Sequence, residues 1–239
     1  MEYALFNRLK SACQSDWEAY TRHRFVLELG AGTLPETSFR YYLQQDYLFL
    51  MHFARAYALS AFKAEDLEEL RLAAGAVSAI LDTEMGLHVA FCERWGISEP
   101  EMAALPEDPA NMAYTRYVLE CGLSGDSLDL ATALAPCVIG YAEIGVWLVE
   151  NAAARDKDNP YQEWIDSYAA DDYQEVAHAH AAQLDRLLQR RGGAGRTESL
   201  PASFPKRPGW RQDSGKWALT LPDNIGNSKK FRFTEKTAV

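Results

Sequence analysis

The chain has 239 residues, of which 48% are hydrophobic and 12% aromatic, so it can bury a substantial core and is too apolar for a disordered protein. Its net charge of -10 is unevenly divided: residues 1–190 carry 14 Lys and Arg against 30 Asp and Glu, whereas residues 191–239 carry ten against four. An acidic body of this kind argues against nucleic acid as a partner.

Targeting and redox features of the sequence predict a cytoplasmic protein. No run of about eighteen apolar residues occurs, which predicts no membrane span. The N-terminus lacks the basic start and apolar block of a signal peptide. The cysteines have no CxxC spacing, so we expect free thiols and no zinc site. They are Cys13, Cys92, Cys121 and Cys137.

The first half of the chain predicts long helices. Apolar residues spaced three and four apart predict a first helix over residues 3–20. The pattern breaks at residues 30–35, where Thr33 is expected to cap the next helix. That helix, residues 36–63, is so rich in aromatic residues that more than one of its faces must be covered. A third helix is predicted over about residues 65–95.

The second half continues in the same way. After a proline-rich stretch, helices are predicted over residues 114–121, 127–150 and 171–190, with a short helix following Asn159 and Pro160. Pro136 is expected to kink the second of these. No segment alternates with the period of a strand, so the predicted fold class is all-α, in one helical domain over residues 1–190.

Residues 191–239 differ in character from the rest of the chain. They contain four of the ten prolines and six of the fifteen glycines, and no amphipathic period continues through them. We expect an irregular basic tail there.

Two residues in this pattern are candidates for chemistry. Cys137 follows Pro136 inside an apolar helix, with Tyr141 one turn later, and such a cysteine is either a small core residue or a nucleophile. A nucleophilic cysteine needs its thiolate stabilised, for which a partly enclosed polar pocket with a proton acceptor is suited. Asp46, in the aromatic helix, is either a boundary residue facing water or a buried carboxylate with a hydrogen-bond partner.

Histidines and carboxylates leave other functions open. Glu84 and His88 are four apart, a spacing at which two side chains can converge on one ligand. With His52, His178 and His180 they allow a di-iron oxidase on a helical bundle as an alternative, although the spacing of two between His178 and His180 directs these to different faces. A non-catalytic ligand-binding bundle is the third hypothesis.

Five short segments, in order, resemble the TenA (thiaminase II) family over roughly residues 5–190. Together they are specific, although no single one would be. They are Leu29-Gly30-Ala31-Gly32-Thr33-Leu34-Pro35, Tyr42-Leu43-Gln44-Gln45-Asp46-Tyr47, Glu84-Met85-Gly86-Leu87-His88, Leu134-Ala135-Pro136-Cys137 with Tyr141, and Asn159-Pro160-Tyr161-Gln162-Glu163-Trp164-Ile165 with Tyr168.

The resemblance implies a haem-oxygenase-like helical bundle, usually a homotetramer. It also implies hydrolysis of an aminopyrimidine breakdown product of thiamin, or of thiamin itself, with no metal or cofactor. By position, Cys137 matches the family's nucleophile and Asp46 the carboxylate that binds the pyrimidine. Phe49 matches an aromatic residue that stacks on the ring, and the remaining matches are pocket tyrosines: Tyr114, Tyr141 and Tyr168.

The C-terminal end departs from the family. The family has a further helix there, with a glutamate that stands shortly before a Phe-Trp pair and faces the nucleophile across the pocket, and residues 191–239 contain no such segment. The resemblance therefore implies that the acid/base partner of the nucleophile is missing, and we expect the activity of this chain to be impaired. A frameshift near Phe204 is one hypothesis for the change in composition. The coding DNA tests it, because a single insertion or deletion should then restore the missing helix.

Overall fold

The computed structural model describes residues 3–151, 159–193, 196 and 200. Every regular element in that part of the chain is helical, so the predicted all-α class is confirmed. The elements are α1 (Ala4–Ala12), α2 (Gln14–Thr21), α3 (Arg24–Gly30), α4 (Glu36–Lys63), α5 (Leu67–Ser78), a π-helical segment (Ala79–Glu84), α6 (Met85–Glu93), α7 (Glu99–Ala103), α8 (Pro109–Ser124), α9 (Ser127–Asn151), α10 (Gln162–Ala169) and α11 (Asp171–Arg191).

Helix α9 is the central element of the bundle. It packs against α2, α4, α8, α10 and α11. One side of it, including Leu134 and Cys137, belongs to a large core shared with α4 and α10. The other side, including Leu128 and Ala135, belongs to a second core formed with α1 and α11. Most of the helix is buried because it separates two cores.

This burial explains a feature that the search for apolar runs did not reveal. Helix α9 is long enough and apolar enough to cross a membrane, and it is the single helix of that kind in the described residues. Two thirds of its most apolar window, 67%, is buried inside the bundle. A core helix between two apolar clusters has this composition without contacting lipid.

The predicted helix over residues 3–20 is two helices. The chain breaks at Cys13, whose φ of -135° is outside the helical range, and α2 begins at the next residue. Leu9, Cys13 and Trp17 are spaced four apart and all buried, so the apolar period continues across the break. For this reason the sequence pattern does not predict the break.

Three other features of the helices also differ from the sequence prediction. Thr33 does not cap α4: Pro35 occupies the N-cap position, and the Thr33 hydroxyl instead donates to the Glu28 carbonyl. Helix α8 is longer than predicted at both ends, because Pro109 fits the first helical turn and Gly122 is buried within the helix. The predicted helix over 65–95 is interrupted by the π segment. Helix α9, by contrast, continues through Pro136.

Most of the predicted tail, residues 191–239, lies outside the described residues and stays a prediction. Several of its described residues contact the bundle, beginning with Arg191, which ends α11 and forms ion pairs with Glu65 and Asp126. Arg196 forms ion pairs with Asp126 and Asp129, and Leu200 is 1% exposed in the second core.

Candidate active site

Helix α9 holds the Cys137 thiol inside the larger core. The residue is 9% exposed, and Tyr141 follows it by one turn on the same side of the helix. A close contact fixes the neighbouring Gly140, where a Cβ atom would lie 2.5 Å from a ring carbon of Tyr20. The small residue thus lets the ring of α2 approach α9 beside the thiol.

Helix α4 places Asp46 in the same buried region. Its side chain is 7% exposed, and its Oδ2 atom accepts a hydrogen bond from the Tyr42 hydroxyl at 3.1 Å. The same oxygen lies 2.6 Å from Nε2 of His88. Asp46 is therefore a buried, partnered carboxylate, one of the two alternatives that the sequence left open.

His88 is fully buried and is held at both ring nitrogens. Its Nδ1 lies 2.8 Å from the Glu84 carbonyl oxygen, which can only accept a hydrogen bond, so Nδ1 carries a proton. Burial by itself lowers the pKa of His88, but the hydrogen bond and charge of Asp46, with the charge of Glu84, outweigh it and raise that pKa. Asp46 and His88 form a buried ion pair.

Glu84 contributes a second carboxylate from the end of the π segment. Its Oε1 atom accepts a hydrogen bond from the Tyr168 hydroxyl at 2.8 Å. Burial raises the pKa of Glu84, and the charge of Asp46 acts in the same direction, whereas His88 and Tyr168 lower it; the net shift is upward. Glu84 therefore holds a proton more readily than an exposed glutamate does.

The surroundings of Cys137 oppose its ionisation. Burial raises the pKa of the thiol well above its ordinary value, and the charges of Glu84 and Asp46 raise it further. A nucleophilic role needs the thiolate. The sequence reasoning expected a pocket that stabilises this anion, whereas burial and the two carboxylates disfavour it in the free protein.

Aromatic side chains surround these polar groups. Phe49 stacks on Tyr114 with ring centroids 5.9 Å apart and an interplanar angle of 6°. Tyr114 also donates a hydrogen bond to the Ala133 carbonyl at 3.0 Å. Tyr141 packs on Tyr168 at 4.9 Å, and its hydroxyl lies 3.3 Å from that of Tyr42. Rigid rings with a few oriented polar groups are typical of a site for a flat heterocycle.

Comparison with known proteins connects this site to a family. The sequence matches the TENA/THI-4/PQQC family over residues 11–199. An aminopyrimidine aminohydrolase from Halalkalibacterium halodurans is 39% identical over 178 residues, which cover 74% of this chain and 79% of that protein. The chain belongs to the TENA/THI-4/PQQC family.

Other relatives agree with this membership. An uncharacterised protein of Haemophilus influenzae is 41% identical over 185 residues, covering 77% of this chain and 85% of its own length. A crystal structure described as a TenA family transcription regulator from Silicibacter sp. TM1040 superposes with a TM-score of 0.85 at 43% identity, covering 91% of this chain and 97% of that one. The helical arrangement described above is thus that of a TENA/THI-4/PQQC family fold.

The structure brings together residues of this family member that lie far apart in its sequence. Cys137, Tyr141 and Tyr168 lie in the larger core, and the hydroxyl of Tyr42, which binds Asp46, contacts that of Tyr141. Phe49 and Tyr114 form a stacked pair. The roles of these residues stay predictions.

Sequence reasoning missed the part that three residues, Tyr42, Glu84 and His88, have in this site. The Glu84 and His88 side chains had been considered only as metal ligands, and Tyr42 was not singled out. The four-residue spacings Tyr42–Asp46 and Glu84–His88 were the available signals. Nothing in the sequence shows that the helices bearing them face each other.

The histidines considered for a di-iron site do not converge with His88. His52 contacts Arg116 and Glu107. His178 is exposed and stacks on Tyr3, at the other end of the chain. Among the described residues, no group of three or more His, Cys, Asp or Glu side chains is arranged to hold a metal ion. All four cysteines are free, as predicted.

Proposed function

We propose that this protein is an aminopyrimidine aminohydrolase of thiamin salvage, which hydrolyses 4-amino-5-aminomethyl-2-methylpyrimidine or thiamin with Cys137 as nucleophile. The observation that carries the proposal is the Tyr42 hydroxyl, which donates to Asp46 at 3.1 Å and lies 3.3 Å from the hydroxyl of Tyr141, one helical turn after Cys137. Relatives named aminopyrimidine aminohydrolase, at 33% to 39% identity, support the choice of substrate.

Asp46 is the residue that we assign to substrate binding. Its hydrogen bonds to described residues both end on Oδ2, from Tyr42 and His88. Oδ1 is thus the oxygen that we assign to the ring nitrogen and exocyclic amino group of the pyrimidine. A carboxylate there stabilises the protonated form of this nitrogen, whose positive charge withdraws electron density from the ring carbons and makes them better electrophiles.

The reaction then proceeds through a covalent intermediate on Cys137. The Cys137 Sγ forms a bond to a ring carbon, and the displaced electron pair moves toward the nitrogen held by Asp46. The nitrogen of the aminomethyl group gains the proton that the thiol loses, and it departs as ammonia when its bond to the methylene carbon breaks. Water then adds its hydroxyl group at that methylene carbon, and the remaining proton of the water returns to the sulfur as the S–C bond breaks and the ring is restored. One amine is exchanged for one hydroxyl group.

We assign the aromatic residues to the faces of the ring. Phe49 is partly buried and lies one turn after Asp46 on α4, so it can cover a heterocycle whose edge contacts the carboxylate. Tyr114 supports Phe49 from behind through their parallel contact. Tyr141 and Tyr168 supply hydroxyl groups on the side of α9 and α10.

Replacing the thiol tests the proposal. We expect Cys137→Ala to lower kcat for ammonia release from 4-amino-5-aminomethyl-2-methylpyrimidine by about a thousandfold or more, because the covalent route is lost. Cys121→Ala is the matched control, since this thiol is free and partly exposed on α8, and it should retain wild-type activity. Full hydrolysis by the Cys137→Ala variant would contradict the proposal.

We also propose that the protein is a cytoplasmic homotetramer, as the family resemblance implies. Large apolar side chains at the surface support association: Phe62 is 86% exposed, Leu123 68% and Leu67 57%. Their burial against a second copy of the chain would remove this apolar surface from water.

A further inference from the structure

Two residues from different helices contact the same oxygen atom of Asp46. The Tyr42 hydroxyl donates to Oδ2 at 3.1 Å, and Nε2 of His88 lies 2.6 Å from that atom. A carboxylate oxygen offers two lone pairs, so these partners occupy both of them. Within the described part of the chain, the hydrogen bonds of Asp46 end at Oδ2, and its other oxygen, Oδ1, stays available for a ligand.

The helices fix each partner in place. Tyr42 and Asp46 are four residues apart on α4, so they share one face of that helix. His88 belongs to α6, which packs against α4, and its side chain is 0% exposed. Its Nδ1 atom lies 2.8 Å from the carbonyl oxygen of Glu84, one turn earlier. The ring is therefore held at both nitrogens, and its rotation would break two buried hydrogen bonds.

The same contacts decide how Tyr141 meets a ligand. A tyrosine hydroxyl has one proton, and that of Tyr42 is directed to Asp46. In the contact between the Tyr42 and Tyr141 hydroxyls, 3.3 Å apart, Tyr141 is therefore the donor. The oxygen of Tyr141 then offers only lone pairs to a ligand. Two acceptors, this oxygen and Oδ1 of Asp46, suit a ligand with N–H donors, such as a protonated aminopyrimidine.

We propose that His88 and Tyr42 are positioning residues of the site, which together hold Asp46 in the orientation that directs Oδ1 to the pyrimidine. Neither residue contacts the substrate, and both act through Asp46. The inference rests on the proposed hydrolase function and adds two residues to which the mechanism above gives no step. The raised pKa of His88 agrees with it, since an imidazolium keeps the buried carboxylate ionised.

Two substitutions of His88 separate its contacts. The amide of asparagine can replace Nδ1 at the Glu84 carbonyl but does not reach Asp46, whereas the amide of glutamine extends about as far as Nε2 and can donate to Oδ2. Calorimetry with 4-amino-5-hydroxymethyl-2-methylpyrimidine, the product of the proposed reaction, measures the effect. We expect His88→Asn to raise Kd by about tenfold or more, and His88→Gln to recover most of that loss. A role confined to the Glu84 contact would give the opposite order.

Selectivity between two ligands separates positioning from a distorted fold. The wild-type protein should bind this pyrimidine about tenfold or more tightly than 2-amino-4-methylbenzyl alcohol, which has the same shape but no ring nitrogens. His88→Asn should bring that ratio close to one and leave the affinity for the benzyl alcohol within about threefold of the wild type. A variant that loses affinity for both ligands alike, or a wild-type protein without the preference, overturns the inference.

A double-mutant cycle tests whether His88 acts through Asp46. If it does, His88→Asn should add less than about twofold to the Kd of an Asp46→Asn protein, because the carboxylate that it positions is already gone. Losses that multiply would show that His88 acts independently of Asp46 and would overturn the inference. His180→Gln is the control, since this buried histidine contacts the Ala131 carbonyl and should keep the wild-type Kd and ligand ratio.

Tyr42→Phe provides the test if the His88 variants do not fold, because the ring stays in the aromatic core and only the hydroxyl is lost. We expect Kd for the pyrimidine to rise by about threefold to tenfold and the ligand ratio to fall. Tyr47→Phe is the matched control on α4: its buried hydroxyl donates to Glu99 at 2.9 Å, and both values should stay at the wild-type level. Equal Kd values for the two Phe variants contradict the role of Tyr42.

The two proposals fail in distinguishable ways. A wild-type protein that binds the pyrimidine but releases no ammonia from the aminomethyl compound refutes the hydrolase function, and the Kd values of the variants still decide the positioning role. A wild-type protein that releases ammonia, with a His88→Asn variant of unchanged affinity and selectivity, refutes only the positioning role. A wild-type protein that binds no pyrimidine refutes both.

Discussion

Two buried histidines of this protein have opposite charge preferences. His88 contacts a carboxylate, and its pKa is raised although burial alone would lower it. His180 contacts the Ala131 carbonyl at 2.9 Å and the Tyr57 hydroxyl, and burial lowers its pKa to about 4. The partner, and not the extent of burial, decides which form the fold stabilises.

The pKa of His180 predicts a loss of stability in mild acid. The unfolded chain takes up a proton near pH 6.5, whereas the folded protein does so only near pH 4, so the stabilisation is present above pH 6.5 and is lost as pH falls toward 4. Between pH 7 and pH 5 this contribution amounts to about 2 kcal/mol. His180→Gln should lose less stability over that range in urea unfolding.

His178→Gln is the control for that measurement, since His178 is exposed on the same helix and should keep the wild-type pH dependence. The prediction is wrong if both variants lose the same free energy of unfolding between pH 7 and pH 5. His88 acts in the opposite sense: its raised pKa contributes stability that is present below pH 6.5 and lost as pH rises through its folded pKa.

At the scale of elements, glycine sets the distance between α9 and α10. A Cβ atom on Gly145 would lie 2.5 Å from the backbone carbonyl carbon of Tyr168 and 2.7 Å from the nitrogen of Ala169. Backbone atoms cannot move aside as a flexible side chain can. The close approach also fixes Tyr168, whose hydroxyl reaches Glu84.

Gly145→Ala should therefore destabilise the protein by about 1 to 3 kcal/mol, as overpacked cores are destabilised. Gly86→Ala is the matched control: it is exposed on α6, a Cβ there meets nothing within 4 Å, and it should be neutral or stabilising by about 0.5 to 1 kcal/mol through helix propensity. Chemical denaturation measures both. An equal effect of the two substitutions would exclude the close contact as the cause.

Helix boundaries show which elements the sequence could predict. The predicted bounds of α4 agree with the structure, and those of α9 and α11 agree to within one residue, because their apolar periods are long and their ends are marked. A period of 3.6 could not predict the break at Cys13, because buried residues continue at the same spacing across it. It could not predict the π segment either, because the chain is helical both before and after that segment.

At the scale of the whole molecule, association is the property to measure. We expect light scattering at micromolar concentration to give four times the chain mass of 26.8 kDa, because the exposed Phe62, Leu67 and Leu123 favour burial between subunits. A stable species with the mass of one chain would contradict the proposed tetramer. The mass is best measured on the chain of all 239 residues, so that the expected tail at residues 191–239 is included.

The Cys137 region shows what the sequence by itself determined and what the tertiary structure decided. The apolar period, the aromatic residues of α4 and the segment around Cys137 sufficed for the fold class and for nominating Cys137 and Asp46. Only the packing of α4 against α6 placed His88 on Asp46, and only the packing of α10 placed Tyr168 on Glu84. Those pairs join distant parts of the chain, and their pKa shifts arise from burial, which local sequence does not specify.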